Sequence, residues 1–288
     1  MDTKNYKIGE KCAILGITSN IALFILKLFA GTVGRSQAMI ADAFHTGSDA
    51  LTSLAVLLGF KIAQKPADKH HPFGHGRAES IAAKIVSIVI LYAGLRIAYD
   101  SAKVLISGNV SEPGTIAFAA VVISIIVKEF TYRQVIRVGI KIKSTSLKAD
   151  AYHHRSDVLS SVAALIGIVG AKMGNAFMDP LAGIIVAAFI IKTGADTFHA
   201  AYDELMDAAP PQTLYDDIKK TTASVQGVDK IKKIMIRKTG LEFFVEIIIG
   251  VDALKTVKAG HDVTIKITKA LLREFPNIKD VIVHVEPV

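Results

Sequence analysis

The chain has 288 residues, 51% of them hydrophobic, a mean hydropathy of +0.42 and a formal net charge of +8. A single cysteine, Cys12, excludes an internal disulfide framework and any multi-cysteine zinc motif. In a chain this apolar the basic excess points away from nucleic acid and toward the cytoplasmic, anionic-lipid side of a membrane protein.

Met1 to Lys11 is polar, and the apolar run after it has no small-residue cleavage site, so no cleaved signal peptide is expected. Six segments approach the roughly 20 apolar residues that a bilayer-spanning helix needs. They run from Ala13 to Phe29, Ala38 to Ile62, Ile81 to Val104, Ile116 to Phe130, Leu147 to Ala171 and Pro180 to Phe198. The fourth is short and continues into a basic amphipathic stretch ending near Lys143. Lys4, Lys7 and Lys11 precede the first span, Lys61, Lys65, Lys69 and Arg77 follow the second, and Arg133, Arg137, Lys141, Lys143 and Lys148 follow the fourth. The alternate loops hold little beyond Arg35 and Lys172. That alternation predicts a multi-pass protein with six spans and both termini in the cytoplasm.

An internal repeat falls inside this region. Ala41-Asp42-Ala43-Phe44-His45-Thr46-Gly47-Ser48-Asp49 opens the second span, and Ala149-Asp150-Ala151-Tyr152-His153-His154-Arg155-Ser156-Asp157 opens the fifth. Copies three spans apart cross the membrane in opposite directions, the arrangement in which substrate sites form between two halves. Each copy carries H-x-x-x-D. Four residues make slightly more than one helical turn, so histidine and aspartate share a face. His45 and Asp49 facing His153 and Asp157 would form a four-ligand shell of imidazole and carboxylate, which suits tetrahedral zinc. The competing reading, polar residues that merely face a bundle interior, must meet a cost of about 2.5–3.5 kcal/mol per mid-membrane aspartate. Asp42 and Asp150, one turn earlier, read either as outer acceptors for the histidines or as waypoints, with helix capping a further alternative for Asp150. His154 and Arg155 point around the helix, away from the His153 face, as interfacial or interhelix contacts.

A second cluster, Asp68-Lys69-His70-His71-Pro72-Phe73-Gly74-His75, lies in the loop after the second span. Its spacing lets one turn gather Asp68, His71 and His75 around a metal, with flanking glycines free to bend; a solvated, pH-sensitive loop is the alternative. From Pro211 onward the pattern becomes that of a small soluble domain. Helix is expected over Leu214 to Ala223, strands over Ile231 to Arg237 and Leu241 to Val251 about a Thr239-Gly240 turn, helix over His261 to Phe275, and a last strand over Lys279 to Val285. The expected fold is thus an α-helical membrane protein: six transmembrane helices over residues 1–208, then a cytoplasmic α+β domain of αββαβ, ferredoxin-like order over 209–288.

The paired H-x-x-x-D motifs, the His71-Pro72-Phe73-Gly74-His75-Gly76-Arg77-Ala78-Glu79-Ser80 stretch and Met178-Asp179-Pro180 together resemble the cation diffusion facilitator family of divalent metal transporters. The resemblance covers nearly the whole chain. It implies a homodimer, not an enzyme, that exports divalent cations from the cytoplasm across the inner or plasma membrane in exchange for protons. It places His45, Asp49, His153 and Asp157 on the transport site and Asp68, His71 and His75 on a loop site. His45 opposite His153 resembles the zinc-type arrangement, with cadmium, ferrous iron, cobalt and manganese as alternatives, since raw affinity does not select zinc. Metal and protons compete for the same imidazole and carboxylate atoms, so proton coupling has a direct physical basis. The C-terminal region resembles the family's dimerising regulatory domain. His261, His284 and Glu286 occupy candidate ligand positions there for zinc as a regulatory ligand, but Lys232 and Ile248 stand where some relatives have histidine. Arg77 and Asp207 are an expected salt bridge near the cytoplasmic membrane edge. An intramembrane metalloenzyme would need an open coordination position and a spare base, and H-E-x-x-H is absent. A metal-sensing membrane partner that does not transport is the remaining alternative.

Overall fold

The structure is a computed structural model that describes residues 3–108, 110–141, 145–240 and 242–288, the side chains of residues 3–13, 56, 57, 60 and 145–150 being outside the description. Six long helices come first: α1 (Thr3–Val33), α2 (Gln37–Ala63), α3 (Ala78–Ser107), α4 (Thr115–Lys141), α5 (Thr145–Lys172) and α6 (Met178–Leu205). At 27 to 31 residues each is about 40 Å long or more, beyond the ~30 Å of a bilayer's hydrocarbon core. Among the described residues four segments are both long and apolar enough to cross a membrane: Ile14–Val33, Ala78–Ser107, Thr115–Lys141 and Met178–Leu205. The two helices outside that set, α2 and α5, carry the H-x-x-x-D pairs. α4 runs on from Phe130, the expected end of the span, to Lys141. The hydropathy falls there, but the backbone hydrogen-bond ladder does not.

The chain folds as two compact units, Met1–Ala55 with Ile85–Phe198, and Val56–Lys84 with His199–Val288. The first unit inverts the pattern of a soluble protein. Ala30, Ala38, Ala41, Ala43, Ala120 and Ala164 are buried together with Ser87, Ser101, Ser124 and charged groups, while Ile25, Phe29, Ile85, Tyr92, Ile126, Phe130 and Leu159 face outward. Small buried side chains let helices approach, and the outward apolar coat matches a lipid solvent. Gly94 on α3 shows the tolerance: a Cβ there would meet Ile191 Cγ1 of α6 at 2.8 Å. α4 packs along both α5 and α1. Asp179, in the first turn of α6, accepts hydrogen bonds from Ser36 Oγ and the Gln37 amide at 2.6 Å each, so it caps α2 from a neighbouring helix. Ser36 Oγ in turn accepts from the Met39 amide. The Met178-Asp179-Pro180 motif therefore fixes the start of the helix that carries His45 and Asp49.

In the second unit, α7 (Gln212–Ala223), β1 (Lys230–Thr239), β2 (Glu242–Val251), α8 (Val257–Glu274) and β3 (Ile278–Pro287) form the αββαβ layer. β1 and β2 pair antiparallel, and β3 joins the other edge of β2 in parallel, giving the order β1-β2-β3. A parallel neighbour requires a crossover, which α8 supplies. Ile218, Ile234, Ile236, Val245, Ile247, Ile249, Val263, Ile267 and Leu271 make the buried core. Gly240 takes φ +61 after β1, where a side chain would be strained. Each expected helix and strand of this domain is found within a few residues of its observed bounds.

Candidate metal centre

α2 presents His45 and Asp49 one turn apart, and α5 presents His153 and Asp157 in the same spacing. One ligand atom each from His45, Asp49 and Asp157 lie within 4.8 Å of one another. His153 Nε2 stands 3.7 Å from Asp49 Oδ1 and 3.9 Å from Asp157 Oδ1, beside that group of three but not within its mutual 4.8 Å. A tetrahedral shell at zinc distances has donor–donor edges of about 3.3–3.6 Å. The two His153 separations lie within a few tenths of an ångström of that spacing, and the other three donors are gathered within 4.8 Å. His45, Asp49 and Asp157 are buried, whereas the His153 side chain is 52% exposed. Among the described residues His45 Nδ1, Asp49 Oδ2 and Asp157 Oδ2 have no hydrogen-bond partner. Buried polar atoms rarely remain unsatisfied without a reason, and a cation is a chemically sufficient one.

Asp42 is more fully satisfied. It is fully buried, 2.7 Å from Lys27 Nζ, and it accepts hydrogen bonds from the Ser160 and Ser161 hydroxyls. Lys27 Nζ also donates to Thr46 Oγ1 at 2.9 Å and Ser161 Oγ at 3.1 Å. The partners of Asp42 are thus an ammonium and two serines, and the pair ties α1, α2 and α5 together. A second buried lysine, Lys128 of α4, lies 3.3 Å from Asp157 Oδ2. Neither lysine was expected at the site. The signal was present, since each interrupts an apolar run (Phe24-Ile25-Leu26-Lys27-Leu28-Phe29 and Ile125-Ile126-Val127-Lys128), and a charge inside a span calls for a partner. Asp150 has its side chain outside the described residues. Arg155 bonds across to the Tyr132 hydroxyl on α4 and lies over its ring, an interhelix contact as expected. His154 is buried.

The loop cluster also forms. Asp68 Oδ1 accepts the backbone N–H groups of His70 and His71 at 2.8 and 2.7 Å. His71 Nδ1 and His75 Nε2 each lie 3.5 Å from an Asp68 oxygen. The His71 amide above all, then the His70 amide and the neighbouring His75 and His71 side chains, hold the Asp68 carboxyl below the usual carboxylate range against the opposing effect of desolvation. Asp68, His71 and His75 offer three donor atoms within 4.8 Å of one another, a set that fits a divalent cation at a solvent-facing site. The loop is seated in its unit by several contacts. Phe73 and Phe244 both face the Arg237 guanidinium, a Cβ on Gly76 would meet Thr239 Cγ2 at 2.7 Å, and Arg77 pairs with Asp207 as expected. Glu204, at the end of α6, accepts from the Gly240 amide and from Lys238.

The three candidate ligands of the C-terminal domain do not gather. His284 Nε2 is 3.7 Å from Glu286 Oε1, but Glu286 Oε2 is taken by Lys232 Nζ at 2.7 Å. Among the described residues His261, on α8, joins no group of three metal-binding side chains. Within one chain, therefore, His284 and Glu286 offer two neighbouring donors, and one oxygen of Glu286 is already held by an ammonium.

Comparison with known proteins agrees with this architecture. Residues 13–206 match the cation efflux transmembrane domain and residues 210–288 the cation efflux protein cytoplasmic domain. The chain is 33% identical to the manganese efflux system protein MneP of Bacillus subtilis, covering 100% of this chain and 99% of that protein. It is 36% identical to an uncharacterized transporter of Methanocaldococcus jannaschii, covering 96% and 98%. It is also 33% identical to metal tolerance protein C1 of Arabidopsis thaliana, covering 97% of this chain but only 62% of that protein. A transmembrane helical region with a cytoplasmic α+β domain, and paired histidine–aspartate motifs converging in that region, go with these matches: the chain belongs to the cation diffusion facilitator family of divalent metal transporters.

Proposed function

We propose that this transporter exports zinc from the cytoplasm in exchange for protons, through the buried site formed by His45, Asp49, His153 and Asp157. The observation that carries the reading is that His45, Asp49 and Asp157 converge from α2 and α5 with His153 beside them, the first three buried with donor atoms that lack a hydrogen-bond partner among the described residues. Two imidazoles and two carboxylates form a borderline donor set, better matched to zinc than to the harder manganese ion. Two carboxylates balance a divalent charge, and both donor types bind protons once the metal leaves, which is the basis of exchange. On this reading α1 to α6 all span an inner or plasma membrane with both termini cytoplasmic. Residues 1–208 form the transport domain, and 209–288 form a regulatory domain that clamps a homodimer. Asp68, His71 and His75 hold a second, solvent-facing metal.

Manganese is the second reading, supported by the printed name of the Bacillus subtilis relative. Purified protein in liposomes with a metal-sensitive dye inside, under an imposed pH gradient, separates the two. Zinc uptake that follows the gradient and exceeds manganese uptake is the expected result. Manganese uptake above zinc would transfer the assignment, and zinc flux indifferent to the gradient would remove proton exchange.

A further inference from the structure

Two buried lysines stand among the polar residues of α1 to α6, and they are treated differently. Lys27 Nζ has a carboxylate at 2.7 Å and two hydroxyl acceptors, one for each of its three donor hydrogens. Lys128 is as deeply buried, at 1% exposure, yet among the described residues Lys128 Nζ has no hydrogen-bond partner and a single ion-pair contact, to Asp157 Oδ2 at 3.3 Å. That oxygen likewise has no hydrogen-bond partner among the described residues. A lysine kept only to hold helices together would be expected to resemble Lys27, because a buried ammonium with unused donors is strongly destabilising. Intramembrane charges retained against such a cost mark substrate pathways.

We propose that Lys128 is a positioning residue that competes with the metal for Asp157 and thereby keeps the transport site weak enough to release its ion. This rests on reading His45, Asp49, His153 and Asp157 as the transport site. Asp49 and Asp157 together carry two negative charges, enough to neutralise a divalent ion without help. The Lys128 ammonium then leaves the loaded site with a net positive charge. Repulsion between a fixed ammonium and the ion raises the free energy of the bound state, and in a low-dielectric interior it acts strongly over a few ångström. Lys128 also faces the Asp157 oxygen directly, so the ion must share or displace that contact as it binds. A carrier that held its metal too tightly would load and never unload.

The test measures binding and flux of Zn²⁺ and of Mn²⁺ with the full-length protein. Binding that disappears in Asp157→Asn defines the buried site and separates it from the loop cluster. Lys128→Met should tighten this Asp157-dependent binding by about tenfold or more, a modest part of what Coulomb's law allows. KM and kcat for transport should fall together, and Lys128→Arg, which keeps the charge, should restore both. Lys128→Gln, polar and uncharged, carries the same expectation should the methionine variant not fold. Unchanged or weaker binding in the uncharged variants, or failure of the arginine variant to restore turnover, would overturn the role of Lys128 while leaving the site itself intact. Full binding in Asp157→Asn would instead overturn the reading of the site, and the inference with it.

Discussion

The buried and the loop clusters use the same donor types in opposite surroundings. In the loop, Asp68 is oriented by backbone amides of its own turn, water reaches Asp68 and His71, and among the described residues no lysine or arginine pairs with the carboxylate. In the buried cluster, two carboxylates are removed from water, Lys128 faces one of them, and a neighbouring Lys27–Asp42 pair carries its own compensating charge. The loop site is therefore assembled locally and costs little to keep empty. The buried site is assembled from helices far apart in sequence, and every charge in it must be balanced.

The largest way to break this contrast is through Lys27. Lys27→Met leaves Asp42 buried without its counter-charge and should destabilise the protein by about 3–5 kcal/mol. Adding Asp42→Asn should recover most of that loss, since both charges are then gone. Thermal unfolding of the detergent-solubilised protein measures both, and a double variant no better than the single would show that the pair is not a charge-balanced unit. No comparable penalty is expected for Asp68→Asn in the loop.

A smaller effect concerns acid. The Asp68 carboxyl is held below the ordinary carboxylate range, chiefly by the His71 amide. Its hydrogen bonds are therefore fully present above that range and are lost only as the pH falls through the lowered value. The His70 and His71 amide resonances, followed by NMR, should stay constant down to the ordinary carboxylate pKa of about 3.9 and shift only below it. A shift centred above that value would contradict the backbone anchoring. The smallest effect belongs to Lys232. Its hydrogen bond and charge hold Glu286 below the usual range, yet Lys232→Met should leave thermal unfolding almost unchanged, as the loss of a solvent-screened surface pair does. Isothermal titration with zinc should then show whether freeing Glu286 lets His284 and Glu286 take a metal; on the present account Lys232→Met gains affinity in the cytoplasmic domain.

Much of this was legible in the amino-acid sequence, and the exceptions share a cause. The H-x-x-x-D pairs could be read because helix geometry brings residues four apart onto one face, a purely local rule. The strands about Thr239-Gly240 could be read because alternation and a turn signal are also local. Lys27 and Lys128 escaped because a single charge is averaged away in an apolar window, and because Asp42 and Asp157 are on other helices. The end of α4 was legible in two pieces: hydropathy reports where apolar residues stop, at Phe130, and the basic amphipathic stretch read beyond it continues the same helix to Lys141. Lys232 was noticed as a substituted position, but only the register of β1, β2 and β3 across the sheet brings its ammonium to Glu286.

The most direct test compares the two clusters in one experiment. Metal uptake into proteoliposomes under a pH gradient would be measured for wild type, for Asp157→Asn, and for the combined Asp68→Ala, His71→Ala and His75→Ala variant. The account predicts that Asp157→Asn reduces flux to that of empty vesicles while the loop variant still transports. Sustained flux in Asp157→Asn, with flux abolished in the loop variant, would place the pathway away from the buried histidines and aspartates and contradict it.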